Sequence, residues 1–266
     1  MLTKRLIACF DIVSGRVTKA VQFQDNIDVA PAEELASSLY QAQIDEIIFY
    51  DIHASAEKRA IDIETVKKVA ARVFVPFTVG GGIKDLNDMY EALKAGAEKI
   101  SIDSMAVRNP SIISEGARAF GSQCIVLSTQ VRRGAATPSG YEVYIDGART
   151  ATGLDAIEWI KQGEAAGAGE ICINSIDQDG TLAGYDIPLM QLAERAVRVP
   201  LIASGGAGEP SHLHVLFTQT QAQAAIISSM LYSPRMARNY TPQELKAYLL
   251  DNGVAVRPYS YGMGYT

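Results

Sequence analysis

The chain has 266 residues, 48% of them hydrophobic and 20% charged, with a formal net charge of −6. That length and hydrophobic share suit one globular domain with a large core, and the acidic balance argues against nucleic acid or an anionic membrane surface as the main partner. The three cysteines, Cys9, Cys124 and Cys172, are odd in number, lie in apolar runs and lack metal-ligand spacing, so they read as reduced core thiols rather than a disulfide frame.

Met1 to Arg5 leads straight into an apolar strand without the core of a signal peptide, and no run reaches the roughly 20 residues of a membrane span. A cytoplasmic location is expected. Leu6 to Phe10 is a continuous apolar run ending at Asp11, the pattern of a buried parallel strand. A loop carrying Lys19 follows, and Pro31 opens a helix to about Gln41. Strands are expected over Glu46 to Asp51, Val73 to Val79 and Lys99 to Asp103, and helices over Ile63 to Ala71, Asp88 to Ala95 and Pro110 to Ala119. Cys124 to Thr129 is a fifth strand. Tyr141 to Arg149 alternates around Asp146-Gly147, a strong hairpin signal, which predicts an inserted β-hairpin near 141–151. A helix over Leu154 to Ala165 carries the single tryptophan, Trp159. Glu170 to Asn174, Leu201 to Ala203 and Ala224 to Ser228 complete eight strands. Thr241-Pro242-Gln243-Glu244 is a capping box with proline at the first helical position, so the last helix starts there and stops near Gly253. The tyrosine-rich tail from Pro258 to Thr266 fits none of these elements.

Val75-Pro76-Phe77-Thr78-Val79-Gly80-Gly81-Gly82-Ile83 recurs as Val199-Pro200-Leu201-Ile202-Ala203-Ser204-Gly205-Gly206-Ala207, at an offset of 124 residues. Asp45-Glu46-Ile47-Ile48-Phe49 falls on Gly169-Glu170-Ile171-Cys172-Ile173 at the same offset. Two segments in one register indicate a duplicated half-barrel. Eight strands alternating with helices make a parallel sheet with right-handed crossovers. The expected fold is α/β: a single (β/α)8 TIM barrel over 1–266, built from two half-barrel repeats.

Chemistry in such barrels sits at the carboxyl ends of the strands. There Gly80-Gly81-Gly82 follow the third strand and Asp103-Ser104 the fourth. Asp179-Gly180-Thr181, Ser204-Gly205-Gly206 and Ser228-Ser229 follow the sixth, seventh and eighth. These are either tight turns or cradles whose backbone N–H groups bind phosphate. Their occurrence in both halves favours cradles and a substrate with two phosphates. Asp11 is either half of a structural ion pair or an acid–base group, since an unpaired buried charge is costly. The mirrored place on the fifth strand holds Gln130, which orients by hydrogen bonds but exchanges no proton at neutral pH. His53 is either a ligand contact or a surface residue; His212 and His214 lie in a helical stretch as structural or surface residues. At the opposite mouth Arg5, Glu46, Lys99 and Glu170 begin strands one, two, four and six. Two acids and two bases can close a ring, which on its own reads as a stabilising plug.

With these motifs the chain resembles the HisF family, the cyclase subunit of imidazole glycerol phosphate synthase. The likeness runs from Lys4-Arg5-Leu6-Ile7-Ala8-Cys9-Phe10-Asp11 to Val256-Arg257. It rests most on that opening, on Val79-Gly80-Gly81-Gly82-Ile83, on Ser175-Ile176-Asp177-Gln178-Asp179-Gly180-Thr181 with Gly184-Tyr185-Asp186, and on Ile202-Ala203-Ser204-Gly205-Gly206-Ala207-Gly208. The resemblance implies a glutaminase docked at the amino-terminal face. Ammonia would enter through a gate matched by Arg5, Glu46, Lys99 and Glu170 and pass Thr78 and Ser101. At the top it would attack a bisphosphorylated ribulosyl aminoimidazole carboxamide nucleotide, giving imidazole glycerol phosphate and an aminoimidazole carboxamide ribotide. Asp11 matches one of two catalytic aspartates, and Lys19 a loop lysine that closes over substrate. Gly82, Asp103, Ser104, Asp179, Gly180, Gly205, Gly206 and Ser229 are expected to bind substrate; no cofactor or metal is implied.

The departures cluster at the top. Gln130 stands where the family has its second catalytic aspartate. His53 and Asn174 occupy positions usually threonine, and Gln178 and Leu182 replace basic or polar residues. Asp103 replaces an asparagine beside the first phosphate, where an added negative charge weakens phosphate binding. Two readings follow. The first is an active cyclase in which Gln130 partly substitutes for the aspartate. The other is a paralogue that supplies ammonia to a different acceptor, as in surface-sugar amidation, with cyclase activity lost or reduced. A third class is a scaffold that only activates the glutaminase.

Overall fold

The computed structural model describes residues 2–21, 24–52, 54 and 61–257; His53 and the tail from Pro258 lie outside them. The first strand, β1 (Arg5–Val13), shows how the sequence makes the fold. Leu6, Ala8, Phe10 and Ile12 pack outward into the large core between sheet and helices. Ile7 points the other way, into a smaller cluster with Ile48, Val126, Cys172, Ile202, Ala224 and Ile226. Strand side chains alternate faces, so a continuous apolar run serves two cores at once.

The chain continues through β2 (Arg16–Val21), β3 (Gln24–Pro31), α1 (Ala32–Gln41), β4 (Glu46–Asp51), α2 (Ile63–Ala70), β5 (Phe77–Gly80), α3 (Leu86–Lys94), β6 (Lys99–Ile102), α4 (Ser104–Arg108) and α5 (Ser111–Phe120). The second half holds β7 (Ile125–Arg133), β8 (Tyr141–Ile145), β9 (Thr150–Asp155), α6 (Ala156–Ala166), β10 (Glu170–Ser175), α7 (Ile187–Ala196), β11 (Leu201–Ser204), α8 (Pro210–Gln219), β12 (Ala224–Ile226), α9 (Ser228–Tyr232) and α10 (Pro242–Asp251). Parallel strands pair in the order β10-β11-β12-β1-β4-β5-β6-β7, and β7 pairs back to β10. This is a closed eight-stranded parallel barrel ringed by helices, a (β/α)8 TIM barrel.

Side-chain caps fix several helix starts. Asp62, Asp85, Asp155 and Asp186 each accept from a backbone N–H of the first turn of α2, α3, α6 and α7. Thr241 and Glu244 form both halves of the capping box that opens α10.

Lys19, expected in a loop, lies instead on β2. The strand β1 runs past Asp11 to Val13, where Val13 pairs with Arg16. The intervening Ser14 and Gly15 have φ of 50° and 77°, the two-residue hairpin geometry that matches strand twist. Both halves therefore follow their first strand with antiparallel strands, β2–β3 and β8–β9. The second hairpin extends to Asp155, beyond the expected 151, and Asp155 then caps α6. The third barrel strand starts at Phe77 rather than Val73, because Pro76 has no N–H to give a ladder. The eighth ends at Ile226, and Ser228 opens α9. Helix α7 was not anticipated, although Asp186-Ile187-Pro188 is a start signal.

Candidate functional site

Period two carries interior side chains up the barrel in series. On β1 the series is Arg5, Ile7, Cys9, Asp11; on β4 it is Glu46, Ile48, Tyr50; on β6 it is Lys99 and Ser101, continued by Asp103; on β10 it is Glu170, Cys172, Asn174. The bottom members meet. Arg5 lies 2.5 Å from Glu46 and 2.9 Å from Glu170, and Lys99 lies 3.2 Å from Glu46 and 2.9 Å from Glu170. The four charges form a closed ring across the amino-terminal mouth. Thr78 is buried and pairs in register with Ile48 and Lys99, just inside that ring.

The top members open into a cavity of about 510 Å³ at the carboxyl ends of the strands. Asp11, Lys19 and Gln130 line it, and so does Ser101. Gly82, Asp103 and Ser104 line it from the first half, and Asp179, Gly180, Gly205, Gly206 and Ser229 from the second. The barrel thus brings the expected top residues into one space and keeps Thr78 and the ring below it. Gly206 shows why glycine is needed there. Its φ is 100°, and a Cβ would run into the Gly184 carbonyl, so the turn admits no side chain.

Tyr50 was not singled out by sequence, yet it lines the cavity and its hydroxyl meets Ser101 Oγ at 3.0 Å and donates to Ser128 Oγ at 3.4 Å. Three cations were also missed: Lys84, Arg108 and Arg149. Arg108 pairs with Asp146 at 2.5 Å, and the Asp146 N–H donates to Ser104 Oγ at 3.0 Å. These two contacts tie the tip of the β8–β9 hairpin to both ends of α4. Tyr50 follows from the alternation once Glu46 faces inward; Arg149 required knowing where the hairpin folds back.

Burial raises the Asp11 carboxyl above its ordinary range; nearby Lys19 opposes this and Asp179 adds to it. Burial pushes Asp103 up to about 7, while the hydrogen bond from Gln130 pulls the other way. That bond runs from Gln130 Nε2 to Asp103 Oδ2 at 2.6 Å. The other amide atom, Gln130 Oε1, is buried and has no hydrogen-bond partner among the described residues. Burial also raises the Cys9 and Cys172 thiols, the latter to about 12, so both stay protonated and unreactive at neutral pH. His212 accepts from the Gly208 N–H at 3.2 Å and shapes the turn before α8. Among the described residues no cluster of His, Cys, Asp and Glu is placed to hold a metal, and no helix is long and apolar enough to cross a membrane.

Residues 5–237 match a family model described as histidine biosynthesis protein. The chain is 51% identical over 260 residues to imidazole glycerol phosphate synthase subunit HisF of Desulfosudis oleivorans, covering 97% of this chain and 99% of that one. It is 50% identical to the protein of the same name from Syntrophobacter fumaroxidans and from Desulforapulum autotrophicum, with the same coverage.

Proposed function

Since the chain belongs to the HisF family, we infer that it is the cyclase subunit of an imidazole glycerol phosphate synthase, an enzyme of histidine biosynthesis that works with a glutaminase subunit. The observation that carries the site assignment is the two-ended barrel: a closed charge ring at one mouth and an acid-lined, glycine-cradled cavity at the other, joined by one set of inward side chains.

In this reading the glutaminase docks on the amino-terminal face. Ammonia passes when an ion pair of Arg5, Glu46, Lys99 and Glu170 parts, and moves past Thr78 and Ser101. The substrate is a bisphosphorylated imidazole carboxamide ribonucleotide. One phosphate lies against Gly82 and Ser104, with Lys84, Arg108 and Arg149 offsetting its charge. The other lies against Asp179-Gly180, Gly205-Gly206 and Ser229, where backbone N–H groups can approach it closely. Asp11 exchanges a proton with the substrate; its raised affinity for protons brings it nearer the working pH. Lys19 on β2 closes over the bound molecule.

The test is cyclisation driven by added ammonium salt, without a glutaminase. Turnover of the bisphosphorylated ribonucleotide to imidazole glycerol phosphate supports the reading, and its absence in both the unmodified chain and Gln130→Asp would overturn it. Gln130 is the observation behind the rival reading, ammonia delivery to another acceptor, and turnover by the unmodified chain removes that motive.

A further inference from the structure

Among the carboxylates that line the cavity, Asp51 and Asp146 have donors that cannot reverse, whereas Asp103 is held by a side-chain amide. Asp51 accepts from the backbone N–H groups of Ala54 at 3.1 Å and Asp62 at 3.3 Å, which fixes a loop. Asp146 is bound by Arg108 at 2.5 Å. Asp179 accepts from the Asn174 amide at 3.3 Å and sits in a glycine turn. Asp103, like Asp179, has an uncharged carboxamide partner that can reverse, and here the bond is the shorter of the two. The Gln130 Nε2 donates to its Oδ2 at 2.6 Å, and Gln130 Oε1, on the other side of the same planar group, is buried and has no partner among the described residues. Turned over about its last bond, that carboxamide would accept from a protonated Asp103. The pair therefore keeps a hydrogen bond in either protonation state, which a fixed arginine or lysine partner would not allow.

Position supports the same role. In the closed ring β1 and β7 are four strands apart whichever way they are counted, and β6 is the neighbour of β7. Asp11 on β1 thus has the Asp103–Gln130 pair on the far wall of the same cavity. A reaction that cleaves a substrate and closes a ring must move protons at more than one point. Gln130 can position a group but cannot move a proton, so the far wall has Asp103 as its exchangeable group.

We propose that Asp103 is the second proton-transfer group of this site and that Gln130 is its positioning residue. The proposal rests on the cyclase reading. The ionised carboxylate takes a proton from the substrate and becomes the neutral acid. The acid then gives that proton to the departing group, and the carboxylate is restored. The groups facing Asp103 suit this cycle. Gln130 from β7 and Arg108 from α4 favour the charged form, burial and Asp146 from the hairpin tip favour the neutral one, and Cys172 from β10 stays a thiol. The balance lies at about 7, where both forms are populated.

The experiment measures kcat and KM for ammonium-driven cyclisation, as a function of pH, in the unmodified chain, Asp103→Asn, Gln130→Leu and Asp103→Asn/Gln130→Asp. Asp103→Asn is expected to lower kcat by about 10²–10⁴-fold with little change in KM. Gln130→Leu removes a bond that favours the carboxylate, so the acid limb of the kcat profile should move to higher pH, a shift that a purely structural glutamine would not produce. The double variant carries the carboxylate to the other end of the same bond and should regain about tenfold or more over Asp103→Asn. An Asp103→Asn enzyme that keeps its kcat, or changes only KM, overturns the proposal and leaves the cyclase reading standing. An unmodified chain with no turnover overturns the proposal, and absence of turnover in Gln130→Asp as well overturns the cyclase reading with it.

Discussion

Arg5 and Lys99, from β1 and β6, share the same two carboxylates: each bridges Glu46 and Glu170, at 2.5 to 3.2 Å. A ring in which every acid serves two bases has no single weak corner, and the Glu46 side chain is only 4% exposed. In Glu46→Ala both cations keep Glu170 alone. If the ring is a gate, turnover coupled to a glutaminase should fall by about tenfold or more while ammonium-driven turnover changes by less than about threefold. Equal losses in the two assays would instead mean that the ring only holds the barrel together.

A second buried ion pair lies away from the site. Lys246 on α10 is 1% exposed; its ammonium donates to Asp45 at 2.6 Å and to the Gln43 carbonyl at 2.7 Å. The other Asp45 oxygen accepts the Leu6 N–H at 2.9 Å. The last helix is thereby fastened to the first barrel strand. Lys246→Met leaves a buried carboxylate without its cation and should cost about 3–5 kcal/mol, read as a lowered urea midpoint. Asp45→Asn/Lys246→Met removes the orphan charge and should recover more than half of that loss. Equal destabilisation in the single and double variants would place the cost in packing.

The barrel was legible because its signals are local or periodic: apolar runs, a repeat at one offset, and charges at strand starts. The ring followed from the same logic, since Glu46 and Glu170 occupy the same place in the two copies of the repeat. The β2 and β3 strands were hidden because they are rich in polar residues; only Ser14-Gly15, the turn from β1 into β2, gave a local signal. The Gln130–Asp103 bond was hidden for a different reason. Alternation sends Gln130 inward, but Asp103 lies past the end of β6, at the step into α4 with φ −118° and ψ −104°. The period-two series reaches Asp103, but this turn sets how it meets Gln130, and spacing alone does not give that. The turn also changes the electrostatic expectation: as a group balanced at about 7, Asp103 does not impose a full negative charge on a neighbouring phosphate.

The glycine turns can be tested one at a time. At Gly206 an added methyl group meets the Gly184 carbonyl, and φ is 100°. Gly206→Ala should lose more than about 1 kcal/mol of stability and raise KM for the phosphorylated substrate, because the loop must shift away from the cavity it lines. Gly140 also has positive φ, 77°, but a methyl group there meets nothing within 4 Å. Gly140→Ala should therefore cost less and leave KM unchanged, which thermal melts and steady-state kinetics can check. A similar loss in both variants would assign the effect to backbone strain alone.

The stability of Asp103→Asn against pH provides a test that needs no substrate. The carboxyl binds its proton with a pKa of about 7 when folded and near the ordinary 3.8 when unfolded. Between those values the folded chain holds a proton that the unfolded chain has released, so stability falls as pH rises, by up to about 1.4 kcal/mol per unit. The loss is complete above 7 and absent below 3.8. Asparagine has no proton to lose and mimics the neutral acid in shape. Asp103→Asn should therefore be more stable than the parent by about 1–4 kcal/mol at pH 8, with the gain shrinking steadily through pH 6 and 5 and vanishing near pH 4. Urea denaturation at fixed pH values measures this directly. A gain that does not change with pH would mean that Asp103 already carries its charge in the folded chain and has no raised affinity for a proton. A gain that follows the expected slope, in a variant whose turnover has collapsed, would show a carboxylate kept at the cost of stability because the reaction needs its proton.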